Sequence, residues 1–217
     1  MTSYLDLLGG AATVVVVAAI VTLWRHELRA AVRALGVQGL ALGLVASVLG
    51  VHGHDDVLIG VGLLVVVEKG VVIPTVLARV LARDPHNRES APLVNTPTAL
   101  LGAGVLTLLA FLVAGAAVAV APVPSGRLLP FGLATVLVGF WAMVVRRRAI
   151  SQIVGLLLVD NGIALVAFLA TAGVPLLVEL GASLDVLLVV VVTRVLAAQL
   201  WRTFDVVDLD QLRELHD

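Results

Sequence analysis

Residues 155–167 read GLLLVDNGIALVA, a run of Gly, Leu, Val, Ile and Ala that holds one carboxylate, Asp160, and one amide, Asn161. In a soluble chain Asn161-Gly162 would mark a turn. Here the apolar residues continue unbroken on both sides for the length of a bilayer crossing, and they override that signal. The stretch therefore predicts a membrane helix that passes straight through the dipeptide. A carboxylate at the centre of such a helix costs roughly 2.5–3.5 kcal/mol on insertion scales. Asp160 is accordingly expected mid-helix and buried against other helices or a water-filled cavity.

The rest of the chain agrees with this reading. Hydrophobic residues make up 60% of the 217 and charged residues 13%, and the mean hydropathy is +1.12. That leaves too little polar surface to cover a soluble core, so the fold class is all-α, a polytopic transmembrane helix bundle in a lipid bilayer. Cysteine is absent, which excludes disulfides, thiolate metal sites and iron–sulfur ligation. Any redox centre that works with this chain must belong to a partner, and no cofactor is expected on the chain itself. The first apolar stretch lacks a basic leader and contains Asp6, so it is expected to be retained as a helix. No nucleotide, phosphate or nucleophile motif occurs, and no catalytic residue is assigned.

Apolar runs at about 4–24, 33–51, 57–81, 98–121, 129–145, 150–173 and 176–200 each suit a crossing at 1.5 Å per residue, which predicts about seven helices. An extracellular N-terminus puts Arg25, Arg29, Arg33, Arg79, Arg83, Arg88, Arg146, Arg147, Arg148, Arg202 and Arg213 on one side. Only Arg127 falls on the other. Excess arginine marks the cytoplasmic face, so the expected topology is N-out and C-in, with Trp24, Trp141 and Trp201 as an inner aromatic belt. These arginines are topology signals, and no nucleic-acid partner is expected. Residues 204–217 form an acidic cytoplasmic tail.

A faint repeat runs through the chain. Val37-Gln38-Gly39-Leu40-Ala41-Leu42 resembles Asp160-Asn161-Gly162-Ile163-Ala164-Leu165, and each is followed by a helix with a central acid and an Arg-Val-Leu-Ala end. The expected organisation is a three-helix unit at 1–97, a linking helix and outer loop at 98–128, a second three-helix unit at 129–203 and the tail.

Within the expected spans stand Glu68, Lys69, Asp160, Asp185 and Arg194, with Glu179 near an outer boundary and Asn161 and Gln38 as supporting polar groups. Ionisable groups at membrane depth are functional candidates by default, and desolvation brings them toward neutrality, where protons can be exchanged. Asp160, Asp185, Lys69 and Glu68 are the proton-relay candidates. The other reading is that these charges pair only to set helix packing, and composition does not choose between the two. Lys69 is the chain's single lysine and lies five residues before Pro74. Pro74 has no N–H for the Gly70 carbonyl, which predicts a kink beside the lysine. Glu68 and Lys69 are about 100° apart on a helix and need not pair. His52-Gly53-His54-Asp55-Asp56 has ligand-like chemistry but reads as a solvated outer loop, with no metal expected.

RRRAISQIVGLLLVDNGIALVAFLATAGVPLLVELGASLDVLLVVVVTRVLAAQLWRT (146–203) resembles the hydrogenase-4 component E family. The shared pattern is a basic loop, a helix carrying Met-Glu-Asn-Gly in the family, a Pro-x-Leu-Val-Glu-x-Gly turn and a helix opening on Asp. Lys69 to Pro74, the polar loop ending at Pro97 and the tail from Asp205-Val206 to Leu212 match in place. The last three helices are in turn similar to the small K subunit of respiratory complex I. The resemblance implies a non-redox membrane-arm subunit of a complex-I-like assembly in a prokaryotic cell (inner) membrane. Its partners would be antiporter-like membrane subunits, a complex-I-like membrane anchor subunit and peripheral [NiFe]-hydrogenase and iron–sulfur subunits. It also implies that Asp160 takes the place of the family's Glu, one methylene shorter, and that Asp185 and Lys69 match directly. A structural linker without a proton role and a small subunit of a multisubunit cation/proton antiporter stay open as alternatives.

Overall fold

Hydrocarbon offers no partners for peptide groups, so a chain this apolar must close its hydrogen bonds within helices or a barrel. In the computed structural model the described residues are 2–25, 27–82, 93–120, 123–147 and 149–171. All of them belong to the first of the two units into which the chain divides, residues 1–182. They form α1 (Thr2–Trp24), α2 (Leu28–Gly53), α3 (Asp56–Val65), a π-helical segment (Val66–Val72), α4 (Ile73–Ala82), α5 (Thr96–Val120), a 3₁₀ turn (Pro124–Leu128), α6 (Leu129–Val145) and α7 (Ala149–Thr171). No strand occurs among the described residues. Taking Asp56–Ala82 as one span, six helices are long and apolar enough to cross a membrane. They match the first six expected runs. The seventh, at 176–200, and the tail lie outside the described residues.

Two boundaries differ from expectation. Leu28–Arg33, expected in a loop, forms the opening turns of α2. At the other end of α2, His54 is left-handed (φ 54°, ψ 38°). The Asp55 carboxylate then accepts hydrogen bonds from the Val57 and Leu58 N–H groups at 3.0 and 3.1 Å. The acid of this loop is thus an N-cap that starts α3, and His52 stacks on Tyr4 with ring centroids 3.9 Å apart.

α2 is the centre of the bundle, touching α1, α3, the π segment, α4 and α7. Its glycines are why it packs so closely. A Cβ on Gly39 would fall on the Lys69 carbonyl and sit 2.7 Å from the Gly70 N. The α2 backbone thus lies directly on the π segment. Gly39→Ala is expected to cost about 1–3 kcal/mol by forcing the two backbones apart, seen as an earlier thermal transition of the detergent-solubilised protein. Gly104→Ala, where a Cβ meets nothing within 4 Å, should leave the transition in place.

A core of Leu8, Ala12, Val15, Leu42, Val45, Leu49, Leu58, Val65, Leu165 and Leu169 joins α1, α2, α3 and α7. The junction between α6 and α7 is tied to α1 by Arg146. Its Nη2 donates to the carbonyls of Thr22 and, at 3.1 Å, Arg25. Trp141, one of the three expected in an aromatic belt, is held by α5: its indole N–H donates to the Ala99 carbonyl at 2.9 Å. Trp24 is 58% exposed, with the Arg25 guanidinium 5.4 Å from its ring. Trp201 lies outside the described residues.

Candidate functional site

The helix widens at Val66–Val72, just before Pro74. In an α-helix the Gly70 carbonyl would face the missing Pro74 N–H. In the π register each carbonyl faces the residue five ahead, so the missing Pro74 N–H falls opposite Lys69 and not Gly70. The Ile73 N–H reaches the Glu68 carbonyl in this register, and the Thr75 hydroxyl donates to the Val71 carbonyl at 2.6 Å. Just before the proline expected to kink the helix lies this π-helical turn, and it carries Glu68 and Lys69.

Lys69 points inward. Its side chain is 4% exposed, and Nζ lies 2.5 Å from Oδ2 of Asp160. These groups are 91 residues apart in sequence, and each stands about midway along its span. Asp160 lies mid-helix as expected but is not fully enclosed, with its side chain 21% exposed.

Next to the ion pair is a chain of amides. Asn161 Nδ2 donates to Gln38 Oε1 at 2.8 Å, and Gln38 Nε2 donates to the Val15 carbonyl at 2.9 Å. Both side chains are buried, Gln38 at 0% and Asn161 at 2% exposure. Gln38 and Asn161 hold the same place in the two similar stretches of sequence, so matching positions meet each other across the α2–α7 contact. The place of Asp160 is held in the first stretch by Val37, which is 49% exposed. Gly162 lets α7 lie against α6, since a Cβ there would sit 2.6 Å from the Val136 N.

The structure therefore gathers Lys69, Asp160, Asn161 and Gln38, with Glu68 beside them on the π segment. Asp185, Glu179 and Arg194 lie outside the described residues. The Val15 carbonyl, which ends the amide chain, had no signal in the sequence because a main-chain acceptor looks the same at every residue. For the π turn there was only Pro74, which signals a defect but not its form. Among the described residues no three metal-ligating side chains gather.

An ion pair and an amide chain joining α1, α2, α7 and a π turn, within helices of membrane length, define a multi-pass membrane protein with a charged centre between its helices. The chain belongs to the hydrogenase-4 component E family. It is 31% identical over 152 residues to Hydrogenase-4 component E of Escherichia coli K12, covering 69% of this chain and 69% of that protein, and equally to the protein of that name from Shigella flexneri. It is 46% identical over 203 residues to the Uncharacterized protein Rv0085 of Mycobacterium tuberculosis, covering 93% of this chain and 92% of the relative. No family model and no solved structure matches the chain.

Proposed function

We propose that the chain is a non-redox membrane-arm subunit of a complex-I-like, hydrogenase-type assembly, and that Asp160 and Lys69 exchange or relay charge there as protons move. The Lys69–Asp160 pair, 2.5 Å apart and midway along two spans, carries this reading. Charged groups at that depth are costly and mark proton or ion pathways. The pair is bonded closely enough for a proton to shift along it, and the 21% exposure of Asp160 leaves one side open to water or a neighbouring subunit. Gln38 and Asn161 hold the acid's helix in place by hydrogen bonding and do not titrate. The family relationship supports partners of three kinds: antiporter-like membrane subunits, a membrane anchor subunit and a peripheral [NiFe]-hydrogenase arm that brings the iron–sulfur centres.

The test is Asp160→Asn in the intact assembly. Asn can still accept from Lys69 but cannot hold a proton, so assembly is expected to persist while coupled proton movement falls to about a tenth or less. Asp160→Glu, which places the family's own residue there, should keep most of it. Unchanged coupling in Asp160→Asn would remove the relay role and leave the pair as a packing device, the linker reading. Sodium-dependent transport with no hydrogenase partner in the purified assembly would favour the antiporter reading.

A further inference from the structure

Glu68 stands beside the ion pair without joining it. It is partly exposed and midway along the span Asp56–Ala82. Among the described residues it has no hydrogen-bond or ion-pair partner, although its carboxyl is near enough to Lys69 and Asp160 to feel both charges. Its surroundings face outward: Leu63, Leu64, Val67, Val71 and Val72 are all exposed. Apolar side chains there suit lipid tails, but a carboxylate does not, and acids at this depth face protein or water. Among the described residues, with all three groups ionised, Lys69 is the one positive charge beside two acids.

A lipid tail cannot supply a second positive charge. Nor can the same face of a second copy, because Lys69 is 3% exposed and already bonded to Asp160.

We propose that the Glu68 face of the third span, from Leu63 to Val72, is the docking surface for a transmembrane helix of another subunit that presents a basic side chain to Glu68 at mid-membrane depth. The inference rests on the reading of the chain as a subunit. Apolar contacts around Glu68 supply the packing, and the charge pair sets which helix fits and at what height.

The experiment uses the intact assembly in native membranes, with the photo-reactive residue p-benzoylphenylalanine placed at Val67 or Val71 and, as a control, at Leu112 of α5, which is 69% exposed. Positions 67 and 71 are expected to cross-link to one and the same membrane subunit, through a peptide that carries Lys, Arg or His within an apolar run. Adducts with lipid alone, or with residues 172–217 of this chain, overturn the proposal. Glu68→Lys should lower co-purification of the cross-linked subunit by about tenfold, with Glu68→Gln falling between it and the unaltered chain, as expected for like charges brought together. Equal recovery from all three chains overturns it as well. The two readings fail separately. Cross-links to a basic helix of a protein outside any hydrogenase assembly keep the docking surface and remove the subunit role. Lipid adducts alone in an assembly that still contains the hydrogenase do the reverse.

Discussion

A Lys69→Met chain is expected to lose about 3–5 kcal/mol of stability, and a Lys69→Met, Asp160→Leu chain to regain most of it. The two outcomes have one cause. Lys69 is 3% exposed, and its ammonium sits against Asp160, whose side chain keeps only a 21% opening to its surroundings. Removing only the lysine leaves the carboxylate in a low dielectric without that counter-ion, the costly half of a buried pair. Removing both puts an apolar contact where the pair stood, and such replacements are close to neutral. The Asn161–Gln38 bond is the smaller effect, because interhelical hydrogen bonds in membranes average about 0.6 kcal/mol. Asn161→Leu should therefore disturb the fold less than Lys69→Met. Thermal challenge in mild detergent, read as the fraction of monodisperse chain, ranks all the variants. A single Lys69→Met chain as stable as the unaltered one would show that the pair does not hold α7 to the π turn. The double variant also separates packing from chemistry: it should assemble, yet show no more proton coupling than Asp160→Asn.

Arg146→Ala is expected to cost about 3 kcal/mol, because hydrogen bonds to a charged donor are worth about 1.5–3 kcal/mol when the acceptors are left buried. Arg146 is 7% exposed. It serves the Thr22 and Arg25 carbonyls, which lie at the end of α1 with no further helical turn to receive them. It also brings a positive charge to the negative end of that helix. Lysine keeps the charge without the planar fork, so Arg146→Lys should recover part of the loss. Amide hydrogen exchange reads this locally. Residues 20–25 should lose protection in Arg146→Ala while the middle of α2 keeps it, and uniform loss along the chain would contradict the capping role.

Sequence and tertiary structure divided the work along a physical line. Each apolar run had to become a helix, because lipid leaves a peptide group no other partner, and that requirement is local. Six spans, the straight passage through Asn161-Gly162 and the mid-span depth of Asp160 could thus be read directly. Pro74 announced a defect for the same local reason, although the sequence did not say that a π-helical turn would stand just before it. The glycines of α2 gave no sign of their role. Their value lies in contacts with another helix, which a single stretch of sequence does not contain.

The site follows the same rule. Composition and depth made Lys69, Glu68 and Asp160 candidates, and helix geometry allowed Glu68 and Lys69 to part company. Which acid the lysine would take, and that Gln38 would bridge Asn161 to the Val15 carbonyl, depended on how α1, α2, the π turn and α7 lie against one another. By itself the sequence determined a membrane bundle with charges at mid-depth, since solvation acts on each residue separately. Only the tertiary structure decided the pairing, because partners 91 residues apart are chosen by the packing of helices.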